Sequence, residues 1–325
     1  MSTRRSGVPK TVTADVRQFA DDVQYYLAQS PRQLPSQYLY DDLGSALFDA
    51  ICRLPWYPIT RSELALLAAH GRAIFDAVQP ATLVELGPGN GEKIAALLDA
   101  STDDPRAVVH LVDISAAALE TAGHTLARRR GITVIKHQTD YESGLFDSVR
   151  GKHGAGRTLA LFLGSNIGNF DPPGAEAFLR NIRAALVPGD ALLIGADLVK
   201  SEAELLLAYD DPLQVTAAFN RNLLVRANRE LAADFDVASF AHRAVWAADA
   251  SRVEMHLVSL RRQRVSIPAC RLDIVFEPEE TIWTESSYKY TPADVVAALR
   301  RAGFAAVDQW LDDAGGFALT LVEAM

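Results

Sequence analysis

The sequence predicts an α/β fold: a mostly parallel sheet layered with helices, carrying a second, smaller α+β domain. Three observations predict it. Five short apolar runs, Thr82–Leu86, Val108–Ile114, Thr133–Gln138, Thr158–Leu163 and Ala191–Ala196, alternate with stretches of helical spacing, as buried parallel strands do. The first run breaks at Gly87, Gly89 and Gly91 before a helical pattern starts at Glu92, which makes a strand, a glycine turn and a helix. The alternation stops after the fifth run and resumes only in a closing helix and hairpin, so the residues between form an insertion between strands five and six.

Met1 to Lys10 is polar and is expected to be disordered; Val12 to Ala28 has helical spacing that ends near Pro31. Tyr38 to Leu54 is amphipathic, LPWYPITR interrupts it with two prolines, and Ser62 to Val78 resumes as a long helix. After the fifth run, Glu202 to Ala232 reads as helices broken around Pro212, and Asp236 to Ser266 as alternating strands. Leu272 to Tyr290 is strand-like, Thr291 and Pro292 start a helix to Arg301, and Phe304–Trp310 pairs with Phe317–Val322 across DDAGG. The expected division is a core of residues 62–197 and 289–325, with a substrate-binding domain of residues 11–61 and 198–288.

Each strand of the core releases a polar residue at its C-terminal end, which is where open parallel sheets hold ligands. Glycines there admit positive φ and bring a ligand close to the backbone. Glu85, just before the turn, repels a pyrophosphate and suits a cationic amino-acid moiety, which favours S-adenosylmethionine (SAM) over a dinucleotide. Asp113, about 20 residues beyond the last glycine, is placed to bond ribose hydroxyls. Asp140 could accept from an adenine amino group and Tyr141 could cover the base. Each residue alone could equally be a helix cap or turn former; together they point to a class I SAM-dependent methyltransferase core, Rossmann-like in plan.

Composition narrows the classes. The chain has 325 residues, 49% of them hydrophobic, enough for a substantial core. A formal charge of -9 argues against a nucleic-acid groove, and no apolar run has the length of a membrane span. Cys52 and Cys270 alone exclude a disulfide scaffold and suit a reducing cytoplasm; the histidines show no metal spacing, so no metal is expected. The basic runs Arg128–Arg130 and Arg261–Arg264 read as solvated charges. A monomer is expected.

The segments YLYDDLGSALFDAI, TRSE after LPWYPI, ELGPGNGEK, FLGSNIGNF, DLVKSEAELLLAYDD and WTESSYKY closely resemble the L-histidine Nα-methyltransferases of ergothioneine biosynthesis, from about Gln37 to the C-terminus. That family uses three SAM molecules to convert histidine into its trimethylammonium betaine, hercynine. The resemblance implies cofactor contacts from Tyr40, Gly87, Lys93, Asp113, Asp140 and Tyr141, joined by Glu85, Gly89 and Gly91 from the turn itself. It implies substrate contacts from Tyr57, Asn166, Tyr209, Met255, Glu285 and Ser287; because an α-amino group titrates near neutrality, Tyr57, directly or through a water, is expected to act as the proton relay in place of a strong base. Asn166 and Tyr209 would bind the α-carboxylate, and Glu285 with Ser287, two apart on a strand, would grip the imidazole. The chain departs from the family pattern at Trp56, Pro58 and Pro88. Alternatives on the same residues are another small amine or an indole amino acid as substrate, a non-catalytic SAM sensor, or a nicotinamide oxidoreductase, the last disfavoured by Glu85.

Overall fold

A computed structural model describes residues 14–101, 107–150 and 156–325. The disorder expected for Met1 to Lys10 and the first two residues of the helix expected from Val12 lie outside the described residues. The strands are β1 (Arg32–Gln33), β2 (Pro80–Leu86), β3 (Ala107–Asp113), β4 (Ile132–Gln138), β5 (Arg157–Phe162), β6 (Ala191–Asp197), β7 (Phe240–Ala247), β8 (Arg252–Ser259), β9 (Gln263–Ile267), β10 (Leu272–Phe276), β11 (Thr281–Tyr288), β12 (Phe304–Leu311) and β13 (Phe317–Ala324). The helices are α1 (Ala14–Leu27), α2 (Asp42–Ile51), α3 (Ile59–Val78), α4 (Glu92–Ser101), α5 (Ala116–Leu126), α6 (Tyr141–Arg150), α7 (Pro172–Ala185), α8 (Glu202–Tyr209), α9 (Val215–Leu231) and α10 (Pro292–Arg301).

The chain forms two compact units. The larger takes in the described residues of 40–216, 244–255 and 286–325; the smaller takes in the described residues of 1–39, 217–243 and 256–285. The division expected from sequence drew the substrate-binding domain as residues 11–61 and 198–288; the compact units are drawn differently, with residues 40–61, 198–216, 244–255 and 286–288 grouped in the larger one.

In the larger unit seven strands run in the order β12-β13-β6-β5-β2-β3-β4. The five expected strands pair in parallel, and β13 enters antiparallel between β12 and β6. The order reverses between β2 and β5, a switch point that opens a ligand crevice at the strands' C-terminal ends. One sheet face buries Val84, Val112, Phe162, Ile194 and Val322 against Phe178 and Ile182 of α7, Leu145 of α6 and Leu299 of α10. On other parts of the sheet α3 packs on α4 and β13, and α5 packs on β3 and β4. A class I SAM-dependent methyltransferase core with an added α+β part is what this layout amounts to, and the insertion falls between the fifth and sixth core strands.

Helix ends follow local chemistry. Asp41 accepts from the Gly44 N–H to start α2, Asp171 caps α7 ahead of Pro172, and Thr291 with Asp294 forms a capping box on α10. Tyr38 to Leu54 is therefore not one helix: residues 36–39 form a 3-10 turn and α2 begins at Asp42, because the Asp41 cap starts the helix afresh. Leu272 to Tyr290 likewise splits into β10 and β11. The break is a turn in which the Glu280 N–H donates to the Glu277 carbonyl and Glu279 sits at φ 65°.

The smaller unit holds α1, most of α9, the antiparallel pair β9–β10 and part of a four-stranded sheet ordered β1-β11-β8-β7. β1, two residues long, pairs in parallel with Ile282 and Trp283. Arg226 donates to the Tyr38 carbonyl (3.0 Å) and stacks over Phe19 and Tyr38, while Phe235, Phe240 and Phe276 form a second ring cluster. In the basic runs, Arg129 pairs with Asp99, and Arg261, Arg262 and Arg264 pair with Asp236, Glu277 and Asp273, so these are side-chain ion pairs, mostly at the surface. Among the described residues no helix is long and apolar enough to cross a membrane.

Candidate functional site

β2 delivers the chain to the crevice at Leu86, and three glycines with positive φ turn it into α4. The Gly87 N–H donates to the Val112 carbonyl (2.9 Å), which ties the turn to β3. Pro88 has no N–H to offer, but its carbonyl accepts from Gly91 (2.9 Å), and the Asn90 side chain accepts from the Glu92 N–H (3.0 Å). A Cβ on Gly87 would lie 2.8 Å from the Tyr141 Oη and 3.1 Å from the Asn166 Nδ2, so glycine allows a phenol and an amide to close over the turn. A Cβ on Gly91 would lie 2.9 Å from the Ala122 Cα, whereas one on Gly89 would meet nothing within 4 Å. The middle of the turn is open.

Glu85 sits below it, 1% exposed, and its Oε2 is buried with no hydrogen-bond partner. Burial pushes its carboxyl up to about 8, against the pull of Lys93 and aided by Glu63 and Asp113. Asp113 ends β3 and accepts from the Ser115 N–H (2.8 Å); burial raises its carboxyl while that bond opposes the rise. Asp140 accepts from the N–H and Oγ of Ser143 (both 2.9 Å), which holds its carboxyl low and caps α6. The Tyr141 ring lies edge-on to Phe162 (5.7 Å between centroids), and burial raises its phenol. The described residue therefore turns its hydroxyl toward Gly87 and Asn166 and its ring into the core.

Lys93, on α4, pairs with Glu63 of α3 at 2.8 Å. Burial disfavours the ammonium, but the Glu63 carboxylate outweighs that and the net shift is upward. Glu63 is fully buried and also accepts from the Gly164 N–H (2.9 and 2.8 Å), so it fixes the start of the Asn166 loop. Gly195 makes room for it: a Cβ there would fall 1.9 Å from the Glu63 Oε1.

A ladder of edge-to-face rings runs Tyr40–Phe48 (5.5 Å), Phe48–Tyr57 (6.4 Å) and Tyr57–Tyr209 (6.3 Å). Burial, with Tyr209 beside it, pushes the Tyr57 phenol well above its ordinary value, so it is a neutral hydroxyl at any working pH. The departures at Trp56 and Pro58 leave Tyr57 well held. The Arg61 guanidinium donates to the carbonyls of Leu54 (2.7 Å), Pro55 (2.7 Å) and Tyr57 (3.2 Å).

Tyr209 ends α8, and its hydroxyl bonds the Ser287 Oγ at 2.8 Å. The Lys289 ammonium joins them, donating to Tyr209 (2.8 Å), to Ser287 (2.9 Å) and to Asp197 at the end of β6 (2.8 Å). Met255 is buried in β8. Glu285 stands two residues before Ser287 on β11, where the Trp283 indole donates to its carbonyl (2.9 Å); it falls in the smaller unit.

Of the residues singled out from sequence, Gly87, Tyr141 and Asn166 thus meet over the turn; Tyr40 connects through Phe48 to Tyr57 and Tyr209; and Tyr209 meets Ser287. Asp140 bonds the first turn of its own helix through Ser143. Sequence reasoning passed over Arg61, Glu63, Asp197 and Lys289. The signals were available: Arg61 and Glu63 stand in TRSE, Asp197 is one more acid at a strand end, and Lys289 continues the alternation of 285 and 287. Among the described residues no group of three or more His, Cys, Asp or Glu side chains could hold a metal ion. Chemically, an open glycine loop above a buried acid accommodates an organic cation, and neutral phenols with an amide can handle an amino acid.

A family model described as "Histidine-specific methyltransferase, SAM-dependent" matches residues 19–324. The chain is 43% identical over 305 residues to a histidine N-alpha-methyltransferase of Mycolicibacterium smegmatis, covering 92% of this chain and 93% of that relative. It is 43% identical over 303 residues to the Mycobacterium tuberculosis protein of the same name, with the same coverage. An L-tryptophan methyltransferase of Psilocybe serbica is 25% identical over 320 residues, covering 90% of this chain and 88% of that one.

Proposed function

This chain belongs to the family of histidine-specific, SAM-dependent methyltransferases, and on that premise we propose that it methylates the α-amino nitrogen of L-histidine three times, giving hercynine for ergothioneine biosynthesis. The observation that carries the cofactor half of this reading is Glu85: a buried carboxyl with an orphaned oxygen beneath an open glycine turn is fitted to an ammonium. Burial holds it protonated to about pH 8, and an ammonium seated in the turn would draw it back to the carboxylate. Gly87, Gly89 and Gly91 would let SAM approach the backbone, Asp113 would take the ribose hydroxyls, and Lys93, shared with Glu63, would face the carboxylate. Tyr40, Asp140 and Tyr141 complete the proposed cofactor set. Bound there, SAM supplies an electrophilic methyl group on sulfonium.

The chain's own residues orient the acceptor. Asn166 and Tyr209 would hold the α-carboxylate, and Met255, Glu285 and Ser287 would hold the imidazole. An attacking amine must be neutral, and an α-amino group titrates close to neutrality, so a strong base is unnecessary. Tyr57, held as a neutral phenol, would accept an amine N–H and fix the lone pair, directly or through a water. Positioning and exclusion of water then supply most of the acceleration. As the nitrogen becomes a fixed cation, the neighbouring ring faces would stabilise it by about 0.5–2 kcal/mol.

Incubating the protein with histidine and SAM and weighing the products tests the reading: mono-, di- and trimethylhistidine should appear in succession. Methylation of tryptophan with histidine untouched would replace it with the indole alternative. Binding of both compounds with no methylated product would leave a sensor.

A further inference from the structure

A phenol held neutral at any working pH, as Tyr57 is, can serve an amine only through where its hydroxyl stands. Displacing such a group by about 1 Å can cost about 100-fold in rate. The backbone that carries Tyr57 is a short link from the end of α2 at Ile51 to the start of α3 at Ile59. The Tyr57 N–H donates to the Leu54 carbonyl at 3.2 Å, whereas Pro55 and Pro58 have no N–H to give. Pro58 also stands at the N-cap of α3, where no side chain caps the helix. Edge-to-face contacts with Phe48 and Tyr209 steady the ring from its sides, so the link itself has to set how far the hydroxyl reaches.

Arg61, in the first turn of α3, supplies the donors that the two prolines withhold. Its Nη1 donates to the carbonyls of Leu54 (2.7 Å) and Tyr57 (3.2 Å), and its Nη2 to that of Pro55 (2.7 Å). Three carbonyls of one link thus converge on one planar fork, which fixes their relative orientation as a single flexible ammonium cannot. The placement runs against the helix, because a cation in a first turn opposes the macrodipole. No acid in that turn of α3 offsets it. Arg61 is exposed, so core packing does not account for it either. The three carbonyls do.

We propose that Arg61 is a positioning residue for methyl transfer: by clamping the carbonyls of Leu54, Pro55 and Tyr57 it fixes the Tyr57 hydroxyl at the acceptor amine, and it acts on the rate only through that hydroxyl. This rests on the functional reading above and extends it from the phenol to the group that aims it. Pro58 makes the clamp necessary in this chain, since it removes the backbone donor that would follow Tyr57.

A double-variant cycle tests this. The single-turnover methylation rate and the affinities for histidine and S-adenosylhomocysteine are measured in the wild type, Arg61→Lys, Arg61→Gln, Tyr57→Phe and the two double variants. The lysine keeps the charge and loses the fork; the glutamine loses the charge as well. With Tyr57 in place, each change at Arg61 should slow the single turnover by about tenfold or more, with both affinities within about twofold of the wild type. In the Tyr57→Phe background the same change should alter the rate by less than about twofold, because no hydroxyl remains to be misplaced. Should Arg61→Gln not fold, Arg61→Lys decides alone. Wild-type rates in the Arg61 variants, equal fractional losses in the two backgrounds, or an affinity that falls as far as the rate would each overturn the inference while leaving the functional reading intact. A Tyr57→Phe variant as fast as the wild type would remove the hydroxyl from the chemistry and Arg61 with it. A wild type that does not methylate histidine overturns the functional reading as well.

Discussion

At the scale of single residues, two buried groups carry opposite instructions. Glu85 retains its proton to about pH 8 in the folded chain against an ordinary 4.5, so between those values the native state binds more protons than the unfolded one. Its contribution to stability is complete below pH 4.5 and is lost as pH rises through 8. Unfolding of the ligand-free protein across that window should show a downward slope with pH that Glu85→Gln removes, since the amide keeps the shape and cannot ionise. An unchanged slope in that variant would assign the effect to another group. Tyr57, by contrast, stays a phenol throughout, so it can orient an amine without titrating. Tyr57→Phe should slow single-turnover methylation by about 100-fold, typical of losing a proton-handling group, with histidine affinity changed far less. Single-turnover rates in the wild type should climb with pH along an acid limb, because the amine must be neutral. Equal rates in the phenylalanine variant would take Tyr57 out of the chemistry.

At the scale of elements, α3 organises the site from outside it. Its first turns supply Arg61 to three carbonyls around Tyr57, Ser62 to Asp312 (2.8 Å) and Glu63 to both Gly164 and Lys93. Glu63→Ala would leave Lys93 without its partner in a mostly buried setting and should cost about 3 kcal/mol, read as a lower thermal midpoint. Gly195→Ala should cost about 1–3 kcal/mol by pushing on the same carboxylate, and the two losses should not add in the double variant. Additive losses would mean the residues act separately. This helix shows where sequence legibility stops. Its period and its length were visible in the apolar pattern, as were the five parallel strands and the closing hairpin, because burial on one face imposes a repeat. What TRSE does was not visible, since Glu63 acts on Gly164, 101 residues away, and no local period encodes that. β1 escaped for the opposite reason: two residues cannot show an alternation. Asp140 was readable as a cap or as a ligand group, and the Ser143 bonds make it a cap in this structure. Lys289 was hidden by its charge, which in a strand next to Tyr288 and Tyr290 reads as surface until Asp197 is seen to share its burial.

At the scale of the whole molecule, the crevice is coupled to stability through mass action. A ligand that binds only the native chain stabilises it by RT ln(1 + [L]/Kd), about 2.7 kcal/mol at a hundredfold excess over Kd. S-adenosylhomocysteine keeps the amino acid and adenosine parts of SAM, so it should raise the thermal midpoint and keep raising it as its concentration grows. A nicotinamide dinucleotide offers the same adenosine but brings no ammonium to draw the proton off Glu85 and pair with it, and it should raise the midpoint far less. Both ligands could use Asp113, so the comparison isolates the turn and its buried acid. In Glu85→Gln the ammonium loses its counter-charge, and the shift from S-adenosylhomocysteine should shrink by the worth of one charge-assisted bond, about 1.5–3 kcal/mol at fixed ligand concentration. A midpoint that rises equally with both ligands, or a shift that survives the glutamine variant undiminished, would mean that the adenosine half alone drives binding. Selection for an amino-acid-bearing sulfonium would then have to come from somewhere other than the end of β2.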